Sequence, residues 1–147
     1  MDFAAKIKAF EEKALMQADK SLNKFIEALG VENVNLTKDG KINRGGYSDG
    51  DIANNWYISV GVPATNPPNA PDLSGSASLA RIQAFSVQKL FYRKDNKVFI
   101  TNVMNYSYRA NTIGWPTGEG TNGWVWSKGI GPYGFVQQAI SNIKGKY

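Results

Sequence analysis

The chain of 147 residues contains no cysteine and no histidine. Without cysteine there is no disulfide, no thiolate nucleophile and no cysteine-ligated zinc. Without histidine the commonest general base and metal ligand are missing, and Ser–His triads are excluded. No apolar run is long enough to span a bilayer, and the N-terminal stretch MDFAAKIKAFEEKALMQ is too charged to read as a signal peptide. A cytoplasmic product without a membrane anchor is the expectation. Charge is not strongly of one sign: 17 basic and 12 acidic side chains give +5, scattered rather than clustered, which permits contact with nucleic acid without requiring it. Repeats and low-complexity tracts are also absent. Proline is scarce, and four of the six prolines fall between Pro63 and Pro71.

What is present begins with a helix. Phe3, Ile7, Phe10, Ala14, Ala18, Leu22, Phe25, Ile26 and Leu29 recur at steps of three or four, which is the spacing of a continuous apolar stripe. The pattern predicts a helix from Phe3 to Leu29 stopped by Gly30, about 40 Å long. That length exceeds what a domain of this size needs, so one end is expected either to overhang and touch a neighbour or to fray from a plain core helix.

After Gly30 the composition changes. Asp39-Gly40, between Val34/Leu36 and Ile42, predicts a hairpin turn, and Gly45-Gly46 marks a second break. Asp49 and Asp51 flank Gly50, but the spaced oxygen ligands of a calcium loop are missing, and a turn that starts the next element is the better account. Trp56, Ile58 and Val60 alternate with Tyr57 and Ser59 in a strand over residues 55–62. Residues of about 63–74 form a proline-rich surface arm, partly rigid through its fixed backbone angles. Ser74 or Ser76 then caps a short helix to about Phe85, with Leu79, Ile82 and Phe85 facing inward. The run Leu73–Ala80 lacks G-x-S-x-G and has no base nearby, so it is not a nucleophile elbow. Residues 87–92 and 97–102 predict a hairpin, and Tyr106, Tyr108 and Arg109 are spaced for one or two helical turns. Pro132 opens a closing helix carrying Phe135, Val136, Ala139, Ile140 and Ile143 and ending near Gly145.

The sum is a single α+β domain over 1–147: a long N-terminal helix packed on a small antiparallel sheet of about four strands, with two or three shorter helices. Ile58, Ile100 and Val136 are expected to be buried.

The loop of about 112–131 holds Trp115, Trp124 and Trp126, three of the four tryptophans, among Gly114, Gly118, Gly120, Gly123, Gly129 and Gly131. Glycines free the backbone, and each tryptophan offers a large contact area with one N–H donor. Composition leaves two readings open: the rings cap the chain's own core, or they form a contact surface. Trp124 and Trp126 are two apart, so in extended backbone both rings face the same way.

Asn55-Trp56 with Ser59-Val60-Gly61, then Ile100-Thr101-Asn102 followed by Tyr106, Arg109 and Gly114-Trp115, then the run from Gly131 to Ile140 (GPYGFVQQAI), resemble the tail-completion or neck (head–tail joining) protein family of long-tailed double-stranded DNA phages. Order and spacing match from about residue 45 to residue 140. Ser48-Asp49-Gly50 stands where that family has an Asp-Thr-Gly turn, here without its Thr-Pro, and Asn105 stands where a proline is usual. The resemblance implies a structural virion protein at the head-proximal end of the tail, with no chemistry, no cofactor and no metal. It would complete the tail tube or join it to the head connector as one subunit of an oligomeric ring, expected to be a hexamer. The implied partners are other copies of the chain and the adjoining tail-tube, terminator or connector proteins, with double-stranded DNA only passing through the lumen. Its implied place is the virion neck, after assembly in the host cytoplasm. Trp115, Trp124, Trp126, Tyr106 and Arg109 are the candidate interface residues.

Other classes are weighed beside it. A carbohydrate-binding module would also use surface Trp and Tyr with Asn and Asp, but such modules are mostly β-strand. A glycoside hydrolase needs two placed carboxylates, and the only loop acids to consider are Asp49, Asp51 and Glu119, the last reading as a solvated turn residue between two glycines. Tyr92-Arg93-Lys94 and Tyr108-Arg109 are the places a nucleic-acid surface would use, and each reads equally as a solvated strand end or an ion-pair donor.

Overall fold

The computed structural model describes residues 2–38, 43–44, 47–48, 50–114 and 132–146. Helix α1 runs Phe3–Thr37, and Asp2 caps it by accepting the Ala5 amide at 2.7 Å. The expected stop at Gly30 is overturned. Gly30 is an interior helical residue, and a Cβ placed on it would lie 2.8 Å from Ile82 Cγ2. The glycine is there so that another element can approach the helix closely. Val34 and Leu36, expected to lead a hairpin, therefore belong to α1.

Two-residue strands β1 (Asn43–Arg44) and β2 (Tyr47–Ser48) pair antiparallel, and α2 (Asp51–Asn54) leads into β3 (Trp56–Val60). Helix α3 (Ser76–Ala84), a 3-10 turn at Leu90–Tyr92, β4 (Val98–Asn102), α4 (Ser107–Thr112) and α5 (Phe135–Ile143) complete the order. The fold is α+β, but among the described residues the strands form two sheets of two and not one sheet of about four: β3 pairs with β4, antiparallel, with Ile58 opposite Ile100.

The expected hairpin between residues 87–92 and 97–102 is also overturned. Asn23 of α1 donates to the Val87 carbonyl at 2.8 Å and accepts the Val87 amide at 2.9 Å, which uses up the hydrogen-bonding groups a strand would need there. The Lys89 amide donates to Asp19 at 2.9 Å, and Lys89 itself takes the left-handed conformation at φ 50°. Leu90 then turns inward beside Ile26 and Val87. The side-chain amide of α1 thus holds the segment as a loop, and β4 crosses to β3 instead.

The main core gathers Val34, Ile52, Trp56, Ile82, Ala110 and Phe135, so α1, α2, β3, α3, α4 and α5 each contribute one side chain. A second cluster of Ile26, Val87 and Leu90 lies beside the far end of the sheet. Ile58 and Ile100 on the paired strands and Val136 on α5 pack against the main core but are half-buried, not buried, since each sits at the edge of the core and not within it. Asn55 holds the proline-rich arm down: it accepts the Asn69 amide at 2.6 Å, while Asn54 donates to the Ala70 carbonyl at 2.8 Å. The exposed residues 65–68 are the free part of that arm.

Helix α3 does not use Ser74 or Ser76 as its cap residue. The cap position is Gly75 at φ 65°, where a Cβ would lie 2.6 Å from Val34 Cγ1 and 2.9 Å from the Ala53 carbonyl oxygen. The Asn54 side chain accepts the Ala77 amide at 3.1 Å and satisfies one of the helix's free donors. Both serines instead give their hydroxyls to Asp72, which also accepts the Ser74 amide. These three donors hold the Asp72 carboxyl down at about 2, the Ser74 hydroxyl contributing most.

Candidate subunit interface

Two regions bear on contacts with other molecules: the α4–α5 corner, and the first half of α1.

At the corner, Tyr106 sits half-buried against the main core, and its hydroxyl donates to the Asp51 carboxylate at 3.2 Å. Arg109, also half-buried, donates from Nε to the Gly114 carbonyl at 3.0 Å. Both candidate interface residues are thus engaged within the chain. Asn111 ties the corner together: its backbone carbonyl accepts the Gly134 amide at 2.9 Å, and its side chain accepts the Val136 amide at 3.0 Å. The Tyr133 amide donates to the Ala110 carbonyl at 2.9 Å. Gly114, at φ 74°, and Tyr133 are therefore both anchored on α4, so the two ends of the Gly/Trp segment are held side by side. Trp115, Trp124 and Trp126 lie outside the described residues, as does Asp49, while Asp51 opens α2 as the turn reading expects. Of the exposed large hydrophobics, Tyr108 and Ile113 flank this corner.

The first half of α1 carries the signal that sequence reading left undivided. From Phe3 to Ala18 every residue is exposed except the half-buried Leu15. Phe3 is 78% exposed, Phe10 74% and Ile7 44%. The buried residues of α1 are Ile26, Gly30, Asn33, Val34 and Thr37, all in its second half. At about 100° per residue, that buried set and the set Phe3, Ile7, Phe10 and Ala14 lie on faces roughly 150° apart. What reads in sequence as one stripe is thus two: one face carries the core, and the other is open at the N-terminal end. Glu32 lies on the second face, and there Asn142 of α5 donates to it at 2.7 Å. Helix α5 thus reaches, through Asn142, the C-terminal end of the face whose N-terminal end is bare.

Among the described residues no group of acidic side chains is placed to hold a metal ion, and no helix is long and apolar enough to cross a membrane. The fold is dominated by helix, unlike the mostly β architecture that the carbohydrate-module reading expects. Comparison with protein-family models, curated proteins and solved structures finds no match.

Proposed function

We propose that this chain is a structural virion protein at the head-proximal end of a long-tailed phage tail, completing the tail tube or joining it to the head connector as one subunit of a ring. What supports the reading is the order of the elements that carry the resembling motifs. A long N-terminal helix comes first, and Asn55-Trp56 opens a strand. The small-residue helix α3 follows, then a strand ending in Thr101-Asn102, a short tyrosine-bearing helix and the closing helix Phe135–Ile143, whose first residues belong to the last resembling motif. The bare apolar face on residues 3–18 is in keeping with an assembly part, since a monomer gains nothing from holding two phenylalanines in water.

In a ring each subunit meets its neighbours through two different surfaces. DNA would pass through the lumen without being bound specifically. The test is a nonsense mutation in the gene within its phage. Unjoined heads and tails by electron microscopy are expected, and full infectious yield without the protein would remove the proposal.

A further inference from the structure

We infer that residues 3–18 of α1 are a pairing surface for the same stretch of a second copy of this chain, with the two helices parallel. Three observations lead there. First, about 24 Å of helix stands clear of the rest of the chain. A helix of that length alone is marginal in water, and no ion pair among the described residues supports it. Second, Phe3, Ile7, Phe10 and Ala14 form one face at alternating steps of four and three, which is the seam of a helix pair.

Third, the charges beside that seam choose the occupant and its direction. Lys6 and Lys13 lie along one flank and Glu11 along the other, each roughly 70–90° from the seam's centre. In a parallel pair the two flanks meet crosswise, so Lys6 of each copy comes beside Glu11 of the other, five residues on. In an antiparallel pair each flank meets itself, and Lys6 and Lys13 would face Lys13 and Lys6 of the second copy. The charges are thus complementary to an identical parallel helix and repel an antiparallel one.

The contact is small. Three large side chains per copy remove on the order of several hundred Å² from water, below the roughly 1,200 Å² of a stable interface. Free copies therefore associate weakly, and the contact takes effect where copies are already held side by side. Such a pair is a two-fold contact of one surface with itself, distinct from the two different surfaces through which ring neighbours meet. The inference does not depend on the neck reading: the pairing is tested on purified protein and the neck reading in the phage, so each fails separately.

The absence of cysteine makes the test clean. Single variants Ile7→Cys and Ala14→Cys lie on the seam, and Ala9→Cys lies on the opposite face. None of the three touches the core, and circular dichroism confirms that each is folded. Under mild oxidation of concentrated full-length protein, the two seam variants should form disulfide-linked dimers about tenfold faster than Ala9→Cys, since in a parallel pair each seam residue meets its own copy. Glu11→Lys in the Ala14→Cys background should slow the reaction severalfold, and adding Lys6→Glu should restore it. Equal rates for seam and opposite-face cysteines would overturn the inference. So would cross-linking of a Phe3→Cys and Ala14→Cys mixture with neither linking to itself, the signature of antiparallel helices.

Discussion

The Trp56 indole donates to Thr37 Oγ1 across 3.0 Å, in a part of the chain where both residues are buried. The same ring meets Phe135 edge-on, with centroids 5.8 Å apart. One side chain thereby joins the end of the long helix, the first strand of the sheet and the closing helix. The Thr37 hydroxyl has one proton, directed at the Asn33 and Val34 carbonyls, and its lone pair is what the indole uses. Thr37→Val preserves shape and removes that acceptor, leaving a buried N–H without a partner. The expected cost is about 1–3 kcal/mol by chemical denaturation, with Thr37→Ser recovering most of it. An unchanged denaturation midpoint in Thr37→Val would show that the indole does not depend on this bond.

Two glycines with the same backbone conformation should respond differently. Gly75 and Gly134 both precede a helix in the left-handed region, at φ 65° and 59°. An added Cβ at Gly134 meets nothing within 4 Å, whereas at Gly75 it meets Val34 and the Ala53 carbonyl. Gly134→Ala should therefore cost only the conformational strain, about 1–2 kcal/mol. Gly75→Ala adds overpacking of about 1–3 kcal/mol to the same strain. Thermal melts of the pair decide the matter; equal losses would mean that the α3 start shifts without resistance.

Asp72 gives a pH dependence with a definite sign. Its carboxyl is lowered from 3.8 to about 2, first by the Ser74 hydroxyl and then by the Ser76 hydroxyl. A depressed folded-state value stabilises above the unfolded value and is lost as pH falls towards the folded one. The melting-temperature advantage of the wild-type chain over Asp72→Asn should therefore be present at neutral pH and shrink between about pH 4 and pH 2. An advantage that stays constant down to pH 2 would show that the serine hydroxyls do not hold the carboxylate.

The elements were legible in sequence wherever one local signal decided them. The helical spacing that starts at Phe3, the alternation around Ile58 and the apolar spacing from Phe135 to Ile143 each follow from local pattern, although the closing helix begins at Phe135 and not, as its proline suggests, at Pro132. The misreadings arose where a partner far along the chain decided. Gly30 has the composition of a stop, yet its role is set by Ile82, which needs the space. Residues 87–92 have strand composition, but Asn23, more than sixty residues away, claims the Val87 backbone. At the candidate interface, Tyr106 and Arg109 looked like surface chemistry and are tied to Asp51 and Gly114. The division of α1 into a core face and a bare face was hidden because the two stripes overlap in spacing near Leu22 and Phe25, and only packing separates them.

For the Gly/Trp segment the prediction concerns what its tryptophans contact. The double change Trp124→Ala with Trp126→Ala should leave the melting temperature of the isolated chain nearly unchanged while preventing completion of infectious particles. Paired rings at an interface often contribute more than about 2 kcal/mol each to association. An isolated double mutant that unfolds would place the rings in the chain's own core and end the interface reading of that segment.

The most direct measurement of the central proposal is the mass and composition of necks isolated from virions of the phage that, on this proposal, encodes the chain. The account predicts that the chain is a stoichiometric component there, in a ring of six copies or a related closed number, even where the purified protein is monomeric. Virions that contain no copy of the chain would contradict it.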